Sequence, residues 1–268
     1  MKLKRILAAL AAVLIVEGGV SAGPPMDGHA IAERMILAYY YPRDDAKMAV
    51  TMRIVNRQGQ ERKRRLVMLR RDLKDGGEQS YYLHFLAPPD VQGMSFLVFK
   101  HVGRDDDRWL YMPALDLVKR ISAADRRTSF AGSDFSYEDI SGRDIDEDDH
   151  AFLREEAIGD RAAFVVKSAA KRPGESEFAY RLFWMDTATF LPLKVEHYSP
   201  QGKLYKIYET REIRTIGGTP TITKAMMTDL DNGRFTEIAV GDVSYDVGLS
   251  ANVFQERSLR RPPASWIR

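Results

Sequence analysis

Short segments that alternate with a period of two run through most of the chain, and many are apolar on both faces. Period two is the mark of an extended strand. Tyr81, Leu83 and Phe85 alternate with Tyr82 and Leu86. Met94, Phe96 and Val98 alternate with Leu97 and Phe99. Trp109 and Tyr111 alternate with Leu110 and Met112, and Phe178, Tyr180, Leu182 and Trp184 alternate with Phe183 and Met185. An antiparallel strand with one face in water is polar on that face. Strands apolar on both faces demand a cover on each side, which is a helix, a second sheet or a ligand. Two architectures meet that demand: a thick two-sheet core, or a curved sheet wrapped around a helix and an apolar cavity. Periodicity leaves both open, because it does not register voids.

Residues 26–41 break the pattern. Ile31, Met35 and Ala38 recur at helical spacing, as do Ala32, Ile36, Tyr39 and Tyr40, with Asp27 as N-cap and Pro42 as the stop. Strands are then expected at 50–54, 62–71, 79–87, 94–102, 107–113, 116–121, 150–158, 162–170, 177–186, 192–199, 203–214, 219–229 and 233–242. Turn chemistry separates them, as at Asn56–Gly59, Asp75-Gly76-Gly77, Pro173-Gly174, Gly217-Gly218 and the tight hairpin Asp231-Asn232-Gly233. Residues 250–259 suggest a short helix with Ser250 as N-cap. No internal repeat or low-complexity linker divides the chain.

The N-terminus has three parts: basic Lys2, Lys4 and Arg5, an apolar run from Ile6 to Val16, and small residues at Val20-Ser21-Ala22. This is the pattern of a secretory leader cleaved after Ala22, with residues 23–268 left as a single domain. The apolar run is shorter than the roughly 20 residues that span a bilayer. No cysteine follows to carry a lipid anchor, so periplasmic export without an anchor is expected. The chain has 40 basic and 38 acidic residues. The leader removes three and one of these, which leaves 37 of each. A neutral mature chain offers no basic footprint for nucleic acid. The run Arg62-Lys63-Arg64-Arg65 reads as the solvated side of a strand. Without cysteine, stability must come from the core alone.

Catalytic signatures are hard to find. Histidines 29, 84, 101, 150 and 197 lack metal-ligand spacing. Asp144, Asp146, Asp148 and Glu155 imitate a calcium loop, but Asp149 stands where glycine is needed, so a solvated acidic loop is expected. There is no G-x-S-x-G nucleophile elbow, and Gly217-Gly218 opens no helix for a phosphate. No cofactor or metal is implied, and no catalytic residue is nominated. The segment 87–140 stands apart. Phe130, Phe135 and Tyr137 sit among Ser, Gly and Asp, and Ser133-Asp134 resembles a helix cap ahead of acids in a first turn. Aromatics in such a loop plug a core or line a site.

Three blocks in that segment, APPDVQGMSFLVF, DRWLYMPALDLVKRIS and GSDFSYEDI, resemble the signature blocks of the outer-membrane lipoprotein-sorting-like proteins. These are periplasmic relatives of the lipoprotein-localisation carrier and receptor, often encoded beside RND (MMPL-type) transporters. The acidic turn Gly103-Arg104-Asp105-Asp106-Asp107 departs from the pattern. The resemblance implies a mainly β (α+β) fold: one curved antiparallel sheet of about eleven strands. It would form an unclosed β-barrel around an N-terminal helix and short internal helices, with an apolar cavity for acyl chains.

The resulting expectation is a monomeric, non-enzymatic periplasmic carrier of a lipid or lipidated molecule, with an inner-membrane RND/MMPL-type transporter as partner. The candidate cavity wall is Phe96, Phe99, Trp109, Tyr111, Phe135, Tyr137, Phe183 and Trp184. Two rivals are an accessory subunit that senses a lipidated ligand, and a hydrolase or transferase acting on acyl or glycan groups.

Overall fold

The computed structural model describes residues 27–267. The expected leader, 1–22, lies outside them. In chain order the strands are β1 (Asp45–Val55), β2 (Glu61–Asp72), β3 (Gln79–Ala87), β4 (Ser95–Lys100), β5 (Asp107–Met112), β6 (Leu117–Arg120) and β7 (Asp148–Ile158). They continue as β8 (Arg161–Ala170), β9 (Tyr180–Asp186), β10 (Pro192–Tyr198), β11 (Leu204–Ile216), β12 (Thr219–Asp229) and β13 (Arg234–Tyr245). The helices are α1 (Gly28–Tyr40), α2 (Tyr137–Ser141), α3 (Glu256–Arg260) and α4 (Ala264–Ile267).

All thirteen strands belong to one antiparallel sheet, in the order β6-β5-β4-β3-β2-β1-β13-β12-β11-β10-β9-β8-β7. Each segment marked by alternation is one of these strands, with ends shifted by a few residues, so the count exceeds the eleven implied by resemblance. The sheet is an unclosed barrel whose free edges are β6 and β7. Those two strands are consecutive in the chain. The connection between them, residues 121–147, therefore has to pass from one edge of the opening to the other. It carries α2 and the aromatics Phe130, Phe135 and Tyr137.

Inside the curve lie two apolar clusters. Leu66, Tyr81, Leu83, Phe85, Phe96 and Val98 pack with Phe130 and Tyr137 of the connection. Ile31, Ala32 and Met35 of α1 pack with Phe135, Phe164, Val166, Phe183 and Met185. The odd-numbered residues of β3 thus face inward and the even-numbered ones outward, where Tyr82 and Leu97 meet Leu249, Val253, Phe254 and Leu259 of the C-terminal segment. Both faces of β3 and β4 are therefore covered, as their composition demanded. Burying a large apolar side chain contributes about 1.5–3 kcal/mol, and with no cysteines present this burial carries the fold.

Two local expectations are corrected. The N-cap of α2 is Ser136, not Ser133 or Asp134: its Oγ accepts from the Asp139 amide while Asp139 accepts from the Ser136 amide, a reciprocal capping box. In the basic run, Arg62, Lys63 and Arg65 are exposed, but Arg64 is buried and donates to the Ala131 carbonyl of the connection. Residues 250–259 form a 3₁₀ turn (Ala251–Val253) followed by α3.

A candidate apolar ligand cavity

Helix α1 is fixed at both ends. At Gly28 a Cβ would lie 2.4 Å from the Phe152 nitrogen, so only glycine lets the helix touch β7. At the other end Arg70 of β2, buried, donates to the carbonyls of Tyr40 (3.0 Å), Pro42 (2.7 Å) and Arg43 (2.6 Å), and pairs with Asp72 at 2.6 Å. A helix leaves its last carbonyls without partners, and one guanidinium satisfies that of Tyr40 together with two carbonyls of the segment that follows. Gln79 Nε2 also donates to the Tyr40 carbonyl at 2.8 Å. The side chains of Tyr39 and Tyr40 are thereby held inside the sheet.

Two chambers flank them. The larger, about 150 Å³, lies against β1–β3, β12 and β13 and is lined by residues such as Met48, Met68, Leu83, Ile222 and Ile238. The smaller, about 80 Å³, lies between α1 and β8–β12 and is lined by Ile36, Phe183, Val195, His197, Tyr208 and Met227, among others. Tyr39, Tyr40, Phe135 and Asp139 line both and form the partition between them. A dry apolar cavity of 150 Å³ accepts a molecule the size of benzene. Each chamber has room for only part of a long apolar chain, and a longer one needs the partition to yield.

The connection carrying Phe135 is tied to the sheet by polar bonds. Thr236 Oγ1 of β13 donates to Asp134 at 2.7 Å and accepts from its amide at 3.0 Å, and Arg234 pairs with the same carboxylate. Lys206 of β11 pairs with Asp139 at 2.9 Å. Burial pushes the Asp139 carboxyl up, but Lys206 and the Ser136 amide outweigh it and hold the carboxyl well below the usual carboxylate range. Arg143 reaches Glu138 (3.2 Å), Glu147 (2.8 Å) and Asp148 (3.0 Å), and Arg181 of β9 reaches Asp148 at 2.7 Å. Burial also raises the Asp148 carboxyl, and Arg181 and Arg143 more than reverse it. The acidic run is thus no solvated loop. Asp148 is buried between two arginines, Asp144 accepts from the Asp146 and Gly103 amides, and Glu155 is exposed on β7. Among the described residues no group of three or more histidines and carboxylates is placed to hold a metal ion.

Comparison with known proteins places this architecture. A family model described as "Uncharacterized protein" matches residues 77–261. A domain from Vibrio parahaemolyticus, described as an outer membrane lipoprotein-sorting protein domain, is 29% identical with a TM-score of 0.80, over 87% of this chain and 98% of that one. A DUF1329 family protein from Desulfovibrio piger is 30% identical with a TM-score of 0.80, over 87% of this chain and 97% of that one. The chain belongs to the DUF1329 family. A LolA superfamily protein from Nitrosomonas europaea has the same fold, at 21% identity and a TM-score of 0.67, over 87% of this chain and 99% of that one. No curated protein matches it in sequence. The lipoprotein-sorting-like resemblance of the sequence blocks agrees with these neighbours.

In this DUF1329 protein the eight candidate wall residues separate. Phe135 and Phe183 line the chambers. Phe96 and Tyr137 are core: each packs on Phe130, at 5.4 and 5.5 Å, and neither touches a chamber. Phe99, Trp109 and Tyr111 face the opposite side, under the C-terminal segment. Trp184 is also on that outer side, packed with Val165 and Leu193 beneath Lys194. The reason is parity. Successive residues of a strand point to opposite faces, and where both faces are apolar, composition does not reveal which one is concave. Of the residues the candidate wall lacked, Met68 shares the inward parity of Leu66 on β2, whereas Ile222 turns inward past a register shift that breaks the odd-numbered inward row of Ala225 and Met227 on β12. Tyr39 and Tyr40 lie on the helix that the pattern did mark.

Proposed function

We propose that this DUF1329 protein is a periplasmic carrier that takes the acyl chain of a lipid or lipidated molecule between its sheet and α1, then yields it to a partner with a better site. The observation that carries the reading is the pair of chambers parted only by Tyr39, Tyr40, Phe135 and Asp139. Two of those four sit on a connection held by polar ties as well as by apolar packing, and polar ties break and re-form more readily than a packed core. Each methylene buried contributes about 0.8 kcal/mol, so affinity grows with chain length yet stays reversible. The Vibrio relative, described as a lipoprotein-sorting protein domain, supports the same direction. In this reading the leader 1–22 is cleaved, residues 23–268 act as one monomeric domain, and an RND/MMPL-type transporter is the inner-membrane partner. Phe135 and Phe183 are the wall residues retained from the sequence.

Native mass spectrometry of protein extracted from its own periplasm tests this. The expected spectrum carries a lipid-sized adduct that organic extraction removes and added lipid restores. A spectrum of bare protein, with no lipid taken up afterwards, would overturn the proposal.

A further inference from the structure

The carrier reading leaves the head group of the ligand open, and the smaller chamber speaks to it. His197 lines that chamber, is only 5% exposed, and makes no hydrogen bond among the described residues. Its ring packs edge-on with those of Phe178 (6.0 Å) and Tyr205 (6.2 Å). Arg181 Nε, from the same wall, is likewise buried without a partner. Unspent buried polar atoms are uncommon and call for a partner.

The charges around them are already matched. Arg181 and Arg143 hold Asp148, and Lys206 holds Asp139. Asp144, also on this wall, is engaged by backbone amides. Burial, with help from Lys206, keeps the His197 imidazole neutral. A neutral imidazole offers one donor and one acceptor. An anionic head placed here faces Asp139, Asp144 and Asp148. A cationic head faces Arg181 and Arg143. An anionic head finds no unpaired cation, and a cationic head finds only Asp144, whose two oxygens are each already taken by an amide, in a setting where an unpaired ion is strongly disfavoured.

We propose that the polar end of the smaller chamber selects an amphiphile with an uncharged hydrogen-bonding head, such as a hydroxyl or an ester, read by His197. This rests on the carrier reading of the same cavity, with the tail directed past the partition into the larger chamber.

The test uses one chain length with four ends: dodecanol, dodecanoate, dodecylammonium and dodecane, at pH 7.5. Each competes with a fluorescent apolar probe, and affinities are expressed relative to each compound's octanol–water partition. Dodecanol is expected to exceed both ions at least tenfold on that scale. In His197→Leu that advantage over the two ions shrinks at least fivefold, while dodecane binding and the thermal melt are retained. Dodecanoate or dodecylammonium equalling dodecanol on the native chain overturns the inference and leaves the carrier standing. An undiminished dodecanol preference in a folded His197→Leu overturns the role of His197. Failure of all four to bind removes the carrier reading itself.

Discussion

Replacing Phe135 by alanine separates a plug from a gate. The ring is 4% exposed and stands at the partition between the two chambers. Phe→Ala in a packed core costs about 3–5 kcal/mol. Here part of the ring already faces empty space and has no atoms to lose contact with, so the loss should fall at the low end, about 3 kcal/mol. Urea unfolding monitored by tryptophan fluorescence reads that value. Ligand binding should move the other way. A ligand as short as octanol fits one chamber and is indifferent to the partition. A hexadecyl ligand must cross it, and gaining even three methylenes is worth about 2.4 kcal/mol, near sixtyfold in affinity. The variant should therefore bind hexadecyl ligands at least tenfold more tightly than the native chain while octanol affinity changes less than threefold. Equal changes for both lengths, or a loss of 5 kcal/mol with no gain in binding, would show that Phe135 is core filling and nothing more.

The other expectations concern the ties and the helix seat. Asp134→Ala removes the carboxylate shared by Thr236 and Arg234; because Arg234 is 36% exposed, the loss should be about 2 kcal/mol, below the figure for breaking a fully buried pair, and amide exchange across 129–141 should accelerate. Uniform exchange rates would contradict that tie. Gly28→Ala places a Cβ 2.4 Å from the β7 backbone and should destabilise by about 2 kcal/mol or more, read by thermal unfolding; a neutral result would mean α1 is not seated on β7. Burial lowers the pKa of His84, His150 and His197 in the folded chain. Between their folded values and about 6.5 the unfolded chain holds more protons, so stability rises with pH through that window, by up to about 1.4 kcal/mol per unit for each ring. Asp139 and Asp148, whose values are depressed, keep their contribution until pH falls below about 4. Urea midpoints should fall from pH 7 to 5.5, and His197→Leu should flatten that slope; a slope unchanged in the variant would refute the assignment to His197.

Alternation located all thirteen strands because period two survives even where both faces are apolar. It also located α1. What it lacked was the sign of the curvature: Trp109, Tyr111 and Trp184 look as suited to a cavity as Phe183, and only the curl of the sheet sends them outward. The buried charges were harder still. Arg64 and Asp148 read as solvated residues, since lone charges are rarely buried, and Ala131 and Arg181, their distant partners, lie 67 and 33 residues along the chain. One signal was present. Arg181 shares parity with Phe183 and Met185, and His197 shares it with Val195, so a polar residue amid an inward apolar row already hinted at a polar end to the cavity.

The central claim is that ligand sits on the concave side, against α1 and the 121–147 connection. A hexadecyl probe bearing a diazirine on its tail, bound, irradiated and mapped by peptide mass spectrometry, tests it directly. The account predicts labels on Met48, Met68, Tyr39 or Ile222, all of which line the chambers. Labels confined to Trp109, Tyr111 or Trp184 on the outer face would contradict it.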